Sequence, residues 1–291
     1  MTAEITGLVV ATGRNAAWIV PDGSDRAVVA ALPRFRGRRM LPVPGDRVRA
    51  RLLDETRAML ERIEPREREM VRRERSGRRK LMAANVDTIV VVTALAQPDP
   101  RLVTLDQLLV FAALHETEAL LVFTKPDLAD PTVRERLPAL YRSLGYPTFV
   151  LNPKRGEGLE PFRAAIAGRR ALLCGISGVG KSSLFTALGG DGVVGELSAK
   201  GLGRQTTTAA RLYRTGDGFL IDSPGVNEFG LGDATPAEIA SAFPEFAAAG
   251  ACRFGDCTHL HEPECAVRAA VAEGRIAESR YESYRRLALN D

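Results

Sequence analysis

The pattern of hydrophobic and polar positions divides the chain into three parts. Residues 1–65 contain short apolar or alternating runs separated by turn residues such as Pro44-Gly45-Asp46. Short strands at this spacing are typical of a small barrel. The five candidate strands lie at residues 7–11, 16–20, 26–31, 47–52 and 58–63.

Beyond residue 81, apolar strands alternate with segments of helical spacing, which predicts a parallel α/β sheet. The predicted strands lie at residues 87–93, 118–123, 147–151, 171–174 and 218–221, and the helices at 105–115, 138–144 and 183–188. After residue 231 the pattern is helical, with predicted helices at 266–271 and 280–289.

Composition narrows the class of protein. The chain has 45% hydrophobic and 26% charged residues, which is typical of a globular protein and excludes collagen-like, coiled-coil and disordered chains. Its apolar runs are too short for a transmembrane helix, and its first residues lack the pattern of a signal peptide. We therefore expect a cytoplasmic protein.

The charge is unevenly distributed. Residues 1–80 hold 19 Lys and Arg against 11 Asp and Glu, a net charge of +8, whereas the remainder has a net charge of −4. Residues 66–80 alone carry eight basic residues without apolar periodicity, which predicts an exposed linker or arm. This asymmetry indicates a polyanionic partner for the basic part.

Residues 175–182, Gly-Ile-Ser-Gly-Val-Gly-Lys-Ser, match the phosphate-binding pattern G-x-x-x-x-G-K-[ST] between a predicted strand and a predicted helix. Backbone N–H groups of this turn would hold the β-phosphate, Lys181 would contact the β- and γ-phosphates, and the Ser182 hydroxyl would bind Mg²⁺. The expected phosphate contacts are Gly175, Ile176, Ser177, Gly178, Val179, Gly180, Lys181, Ser182 and Ser183.

Two later segments complete the predicted phosphate site. Asp222-Ser-Pro-Gly225 follows an apolar strand, where an aspartate can hold Mg²⁺ through water and the N–H of Gly225 can sense the γ-phosphate. Residues 203–208, Gly-Arg-Gln-Thr-Thr-Thr, predict a switch segment. In it Thr207, with Thr206 as the alternative, would close on Mg²⁺ and the γ-phosphate.

Thr124-Lys125-Pro126-Asp127 follows another predicted strand and matches [NT]-K-x-D. The Asp127 carboxylate can accept from N1–H and N2–H₂ of guanine, a donor pair that adenine lacks, so the motif favours a guanine nucleotide. This motif precedes the phosphate loop. The order base loop, phosphate loop, switch I, switch II is that of a circularly permuted GTPase.

Three of the four cysteines lie close together in the pattern Cys252-x₄-Cys257-x-His259-x₅-Cys265. Three thiolates and one imidazole at this spacing are typical of a closed tetrahedral Zn²⁺ site, in which the metal is structural because no position remains for water. His261 is an alternative to His259 as the fourth ligand.

Together these motifs make the chain resemble the RsgA (YjeQ) family of circularly permuted GTPases that depend on the small ribosomal subunit. The resemblance rests on residues 175–183, 203–208, 221–226, 252–259 with Cys265, and 280–284. It implies an N-terminal barrel of the OB type, zinc ligands at Cys252, Cys257, His259 and Cys265, and GTP hydrolysis that the bound subunit stimulates late in its maturation.

The full expectation is a multi-domain chain with GTP or GDP, Mg²⁺ and one structural Zn²⁺ as its ligands. Its partners would be the small ribosomal subunit and its rRNA, with no membrane partner, and we expect a monomer. The predicted domains are an OB-fold RNA-binding barrel at 1–67, a basic linker or arm at 68–80, a circularly permuted α/β P-loop GTPase domain at 81–231, and a mostly helical zinc-binding domain at 232–291.

The chain departs from the family pattern at two places. Gln205 stands where the family usually has His, and Val226 stands where many GTPases have a catalytic Gln. Because Gln can orient water in other GTPases, we hypothesise that Gln205 positions the attacking water once the subunit orders the loop. Leu151-Asn-Pro-Lys154 replaces the Ser-Ala loop that is typical over guanine, which leaves that nucleotide contact unassigned.

Two alternative functions fit parts of the sequence. One is an RNA-binding module whose affinity for RNA changes with the bound nucleotide, while hydrolysis of that nucleotide is incidental. The other is a P-loop ATPase or kinase, which ATP competition against a GTP analogue would reveal.

Overall fold

The fold was analysed in a computed structural model of the chain. It describes residues 3–13, 15–24, 26–35, 38–39, 41–73, 79–189, 211–216, 218–222 and 230–289. Among these residues, no helix is both long and apolar enough to cross a membrane.

The N-terminal part is a closed five-stranded barrel. Its strands follow the order β1-β2-β3-β7-β6, and β6 pairs with β1 to close the ring. In β6 three arginines point outward and alternate with the buried Val48 and Ala50, so the alternating sequence matches the pleat of the barrel. The strands up to this point are β1 (Glu4–Thr12), β2 (Ala16–Pro21), β3 (Val28–Ala31), β4 (Arg34–Phe35), β5 (Arg38–Arg39), β6 (Arg47–Leu52) and β7 (Arg57–Ile63).

The basic segment after the barrel is not a linker without regular structure. Strands β8 (Glu69–Arg73) and β9 (Arg79–Ala84) pair as an antiparallel hairpin. Met70 and Met82 are buried and belong to the same apolar cluster as Trp18 of the barrel. The sequence pattern concealed this because the few buried positions are separated by arginines. Side chains of the hairpin therefore pack in one apolar cluster with side chains of the barrel and of the central sheet.

Polar contacts join the barrel to the residues that flank the hairpin. The fully buried Asp46 carboxylate accepts hydrogen bonds from Arg66 at 2.7 and 2.9 Å. The Asn85 amide donates to the Gly45 carbonyl at 2.9 Å. Gly45 is required here, since a Cβ would lie 2.0 Å from the Ala84 carbonyl oxygen. Arg66 therefore stabilises the domain junction, although the sequence placed it in an exposed arm.

The central sheet is built from parallel strands in the order β12-β11-β10-β13-β15, with β14 antiparallel at the edge that meets β1. After β10 the chain adds β11 and β12 on one side of that strand, and it then adds β13 and β15 on the other side. The point between β10 and β13 is thus a topological switch point, where ligands bind at the carboxyl ends of the strands. The strands are β10 (Thr88–Ala94), β11 (Glu118–Thr124), β12 (Thr148–Leu151), β13 (Arg170–Cys174), β14 (Arg211–Thr215) and β15 (Gly218–Asp222).

Helices cover both faces of this sheet. Alternate residues of β10 enter two different clusters: Ile89 and Val91 pack on the side of α1 and α2, and Val90 and Val92 on the side of α3 and α4. This double burial explains the continuous apolar sequence of the strand. The helices are α1 (Leu102–Leu114), α2 (Pro131–Ser143), α3 (Leu159–Ile166) and α4 (Lys181–Ala187).

The C-terminal part is helical around a cluster that contains Phe243, Phe246 and Tyr284. It comprises α5 (Pro236–Ser241), α6 (Pro244–Ala247), α7 (Ala266–Ala272) and α8 (Glu278–Leu289), and the cysteine segment lies between α6 and α7. Helix α8 packs against α1 of the central domain.

The sequence pattern predicted most elements, but besides the hairpin it also missed other features. It gave no prediction for α3 or β14, and it started α2 at Pro138. That helix begins at Pro131, where the Asp130 side chain caps it through the N–H of Thr132, and Pro138 lies inside it.

Candidate functional site

The phosphate loop connects β13 to α4 at the switch point. Gly175 has a φ of +148°, and a Cβ there would lie 2.1 Å from the Val92 carbonyl oxygen, so only glycine fits against β10. The Lys181 ammonium donates to the carbonyl oxygens of Gly175 at 2.5 Å and Ile176 at 2.8 Å. The loop therefore curls around the lysine, as a phosphate-binding loop requires.

The base loop follows β11 and is hydrogen-bonded to the phosphate loop. Thr124 is buried, and its hydroxyl lies within hydrogen-bond distance of the carbonyl oxygens of Val179 and Thr93. The Lys125 ammonium donates to the carbonyl oxygens of Gly178, at 2.8 Å, and Gln97. These contacts bring together two motifs that lie 50 residues apart in the sequence.

Asp127 lies in a single 3₁₀ turn at Pro126–Leu128, just after the base loop lysine. Its carboxylate accepts a hydrogen bond from the side-chain amide of Asn152 at 3.0 Å. Arg155 approaches the other carboxylate oxygen at 3.7 Å from an exposed position. The loop after β12 thus contacts Asp127 from two sides, which sequence reasoning did not identify.

The structure describes only some of the residues that the sequence predicts for the Mg²⁺ site. Asp222 ends β15, and its backbone is in register with Leu173 at the end of the neighbouring β13. Ser182 is in the first turn of α4. Gln205, Thr206, Thr207 and Gly225 lie outside the described residues.

The C-terminal cluster brings together the four residues that the resemblance implied. The ligand atoms of Cys252, Cys257, His259 and Cys265 all lie within 4.8 Å of one another. Nδ1 of His259 is 3.5 Å from the Cys252 sulfur and 3.4 Å from the Cys265 sulfur, and those two sulfurs are 3.9 Å apart. Such separations suit the edges of a small tetrahedron with metal–ligand bonds of about 2.0–2.3 Å. His261 is not part of this cluster.

The surroundings of His259 and Cys252 favour metal binding, whereas burial raises the pKa of the Cys257 thiol to about 12. Burial lowers the pKa of His259, which keeps its imidazole neutral and able to bind a metal. Burial opposes ionisation of Cys252, but N–H donors, including that of Ala266 at 3.3 Å, hold the pKa of its thiol below the ordinary value. Tyr281 donates to the carbonyl oxygen of His259 at 2.7 Å, so α8 fixes the loop that carries this ligand.

A buried ionic cluster joins this C-terminal part to the central domain. Arg280 of α8 bonds to Asp106 of α1 and to Glu245 of α6, the latter at 2.6 Å, and the three side chains are 2%, 0% and 7% exposed. Tyr141 of α2 donates to Asp106 at 2.7 Å. The guanidinium also lies 4.4 Å from the centre of the Phe243 ring. The cluster therefore links α1, α2, α6 and α8.

The outward arginines of β6 lie beside acidic side chains on the outer face of the barrel. The outward arginines of β6 form ion pairs with carboxylates: Arg47 with Asp22 at 2.7 Å, Arg49 with Glu64 at 2.6 Å and Arg51 with Glu61 at 3.1 Å. These pairs are largely exposed, and they leave the net charge of residues 1–80 unchanged while occupying the arginines of β6.

Comparisons with known proteins agree with this geometry. A model of the RsgA GTPase family matches residues 63–232. Two relatives named small ribosomal subunit biogenesis GTPase RsgA are those of Sodalis glossinidius and Moorella thermoacetica. The Sodalis protein is 43% identical, and the match covers 79% of this chain and 69% of the relative. The Moorella protein is 38% identical, and the match covers 86% of this chain and 85% of the relative.

Solved structures show the same architecture. The crystal structure of YjeQ from Thermotoga maritima has a TM-score of 0.79 at 31% identity and covers 99% of this chain and 98% of its own. YloQ, described as a circularly permuted GTPase, has a TM-score of 0.75 at 25% identity, with coverage of 99% and 95%. The family model spans more than half of the sequence, and the chain thus belongs to the RsgA GTPase family and is a GTP hydrolase.

Proposed function

We propose that this protein hydrolyses GTP while bound to the small ribosomal subunit and acts in the late maturation of that subunit. The observation that carries the proposal is the hydrogen-bonded junction between the base loop and the phosphate loop at the switch point. It supports a site in which Asp127 would accept from guanine and residues 175–183 would hold the phosphates, at one edge of one sheet. The names of the relatives supply the subunit as the partner, and that partner supports the cytoplasm as the place of action.

The nucleotide site fits a guanine nucleotide with Mg²⁺. Residues 175–183 would hold the phosphates, and Thr124, Lys125, Pro126 and Asp127 would hold the base. Ser182, Thr207 and Asp222 would hold Mg²⁺, which neutralises charge on the phosphates. The fit is supported by Gly175, whose missing Cβ lets the loop pack directly against β10, and by the ammonium of Lys181 enclosed by the loop.

The C-terminal site fits one structural Zn²⁺. Three sulfurs and one imidazole nitrogen within a single small cluster fill all four positions that tetrahedral zinc offers. When bound, the metal would stabilise the loop between α6 and α7 against α8. It would have no part in hydrolysis.

Gln205 is our candidate for positioning the attacking water. The support is its place directly before the triple threonine of the switch segment and the ability of glutamine to orient water in GTPases. A Gln205→Ala variant should lose most of the subunit-stimulated turnover and retain GTP binding. Unchanged stimulated turnover would remove this role.

We infer that contact with rRNA uses the β8–β9 hairpin more than β6. Arg51 is paired with Glu61, and the sequence of the two short hairpin strands carries Arg72, Arg73, Arg79 and Lys80. Replacing Arg72 and Arg73 with Ala should weaken subunit binding. The slope of log affinity against log salt concentration should become less steep, by the loss of about one to two phosphate contacts. The matched Arg51→Ala change should have a much smaller effect.

The decisive experiment measures GTP turnover with and without purified small subunits over a series of salt concentrations. We expect strong stimulation that falls steeply with salt, because cationic contacts to phosphates are lost as counterions compete. Binding that depends on GTP without any stimulation would favour the nucleotide-toggled RNA-binding module. Displacement of a fluorescent GTP analogue by ATP would favour an ATPase or kinase.

A further inference from the structure

Asn152 is a buried residue beside Asp127 that the proposed function leaves without a role toward the nucleotide. Its side chain is 5% exposed, and its amide nitrogen lies 3.0 Å from one carboxylate oxygen of Asp127. Because an ionised carboxylate only accepts hydrogen bonds, the amide must present its nitrogen to Asp127. That nitrogen carries a second N–H, for which the described residues supply no partner.

The loop that carries Asn152 is fixed by its own backbone. The N–H of Asn152 donates to the Glu157 carbonyl at 3.1 Å, and the N–H groups of Arg155 and Glu157 both donate to the Asn152 carbonyl. Gly158 allows this tight turn, since a Cβ would lie 2.5 Å from the Val150 carbonyl oxygen. The position of the Asn152 amide is therefore set before any ligand arrives.

The same loop has few backbone donors left for a ligand. Residue 153 is proline and has no N–H, and the N–H of Gly156 faces the Pro153 carbonyl at 3.4 Å. Within residues 152–157, Lys154 alone keeps an N–H with no backbone acceptor. A polar atom of the base that faces this loop must therefore use a side chain or that one N–H.

Guanine presents such an atom. Its pairing edge carries the N2–H₂ and N1–H donors, whose hydrogen bonds the Asp127 carboxylate would accept. Beside these donors lies the carbonyl oxygen O6, which can only accept hydrogen bonds. A covered O6 without a donor would weaken binding. Two side chains adjoin the Asp127 carboxylate, those of Asn152 and Arg155. Arg155 is 61% exposed and 3.7 Å from its oxygen, which makes it a weak, solvated contact.

We propose that the second N–H of the Asn152 amide donates to guanine O6, so that Asn152 and Asp127 together recognise the whole pairing edge of the base. Asn152 is then a specificity-determining residue for the GTPase, and Asn-Pro takes over the contact that the Ser-Ala loop typical of this position would make. The inference rests on the proposed contact between Asp127 and guanine.

The test compares three diphosphates that differ at single positions of the base: GDP, 6-thio-GDP, in which a weakly accepting sulfur replaces O6, and IDP, which lacks the N2 amine. Each displaces a fluorescent GDP analogue from the full-length protein. The variants are Asn152→Ala, Asn152→Ser and, as a matched control on the same carboxylate, Arg155→Gln. A serine hydroxyl can donate once, to Asp127, and has no second proton for O6.

The native protein should prefer GDP to 6-thio-GDP, and both Asn152 variants should lose that preference. Asn152→Ala should also weaken GDP binding by about tenfold or more. Asn152→Ser should keep the preference for GDP over IDP, because Asp127 still accepts from N2. Arg155→Gln should change every ratio by less than about threefold.

A preference for GDP over 6-thio-GDP that survives in both Asn152 variants would overturn the proposal and assign O6 to another donor, such as the N–H of Lys154. Asp127→Asn separates this outcome from failure of the proposed function. That variant should shift preference from GDP to xanthosine diphosphate, because an amide can donate to the carbonyl that xanthine carries at position 2. Without this shift, the guanine contact of Asp127 is itself wrong.

Discussion

The buried Arg280 makes the sharpest prediction about how the C-terminal domain is held. Replacing Arg280 with Met keeps much of the side-chain volume but removes the cation. It leaves the carboxylates of Asp106 and Glu245, 0% and 7% exposed, without their partner. Breaking a buried ion pair from one side typically costs about 3–5 kcal/mol, because the remaining charge stays buried.

The matched control lies six residues further along α8. Arg286 pairs with Glu282 on an exposed surface, where both side chains are more than 40% exposed. Such pairs contribute about 0.3–0.5 kcal/mol, so Arg286→Met should have little effect. The two variants remove the same charge from the same helix and differ in burial.

The assay follows urea unfolding of the zinc-loaded protein by two signals. Zinc release into a chromogenic chelator reports the C-terminal cluster, and fluorescence of Trp18, the only tryptophan, reports the barrel. For urea slopes of about 1–3 kcal/mol per molar, the loss in Arg280→Met corresponds to a midpoint for zinc release lower by about 1 M or more. The tryptophan transition should move less.

Equal midpoints for zinc release in Arg280→Met and Arg286→Met would refute the reasoning. A triple variant, Asp106→Asn with Glu245→Gln and Arg280→Met, adds a second test. It should recover part of the lost stability, because no buried charge remains unpaired.

Three further predictions concern other contacts. Thr124→Val keeps the shape of the side chain but removes its hydrogen bond to the Val179 carbonyl oxygen, so GDP affinity should fall by about three- to tenfold in a displacement titration; an unchanged affinity would show that the junction of the two loops is not needed. Removing zinc with a chelator, or changing Cys257 to Ser, should lower the unfolding temperature of the C-terminal domain, measured by calorimetry, and leave GDP affinity nearly unchanged. Burial of Asp87 opposes ionisation, but hydrogen bonds from Arg170 outweigh it and hold the pKa of Asp87 below its ordinary value. Asp87→Asn should therefore lower stability by about 1–3 kcal/mol near neutral pH; the difference should persist above about pH 4 and shrink as the pH falls through the lowered pKa, and a difference that grows in acid would contradict the assignment.

Contacts between distant residues explain what the sequence pattern missed. Arg280 and Asp106 are 174 residues apart, and nothing in the spacing around either predicts the other. The hairpin of β8 and β9 escaped notice because its buried methionines lie among arginines, which made the segment resemble an exposed arm. The predicted start of α2 at Pro138 was wrong, because the helix begins at Pro131, directly after the capping Asp130.

The sequence by itself determined the chemistry of the phosphate loop, the base loop and the cysteine cluster. Each of these sites depends on a few residue types at short spacing, so local geometry is enough to specify what they can bind. It also determined the parallel sheet, because strands buried on both faces must be apolar throughout.

Only the tertiary structure decided how these parts cooperate. It joined Thr124 to Val179, placed the Asn152 amide against Asp127, and paired the arginines of β6 with carboxylates in or just after β2 and β7. The physical reason is the same in each case. A hydrogen bond or ion pair depends on a few ångströms between side chains, and for residues far apart in sequence that distance is fixed by the packing of whole strands and helices.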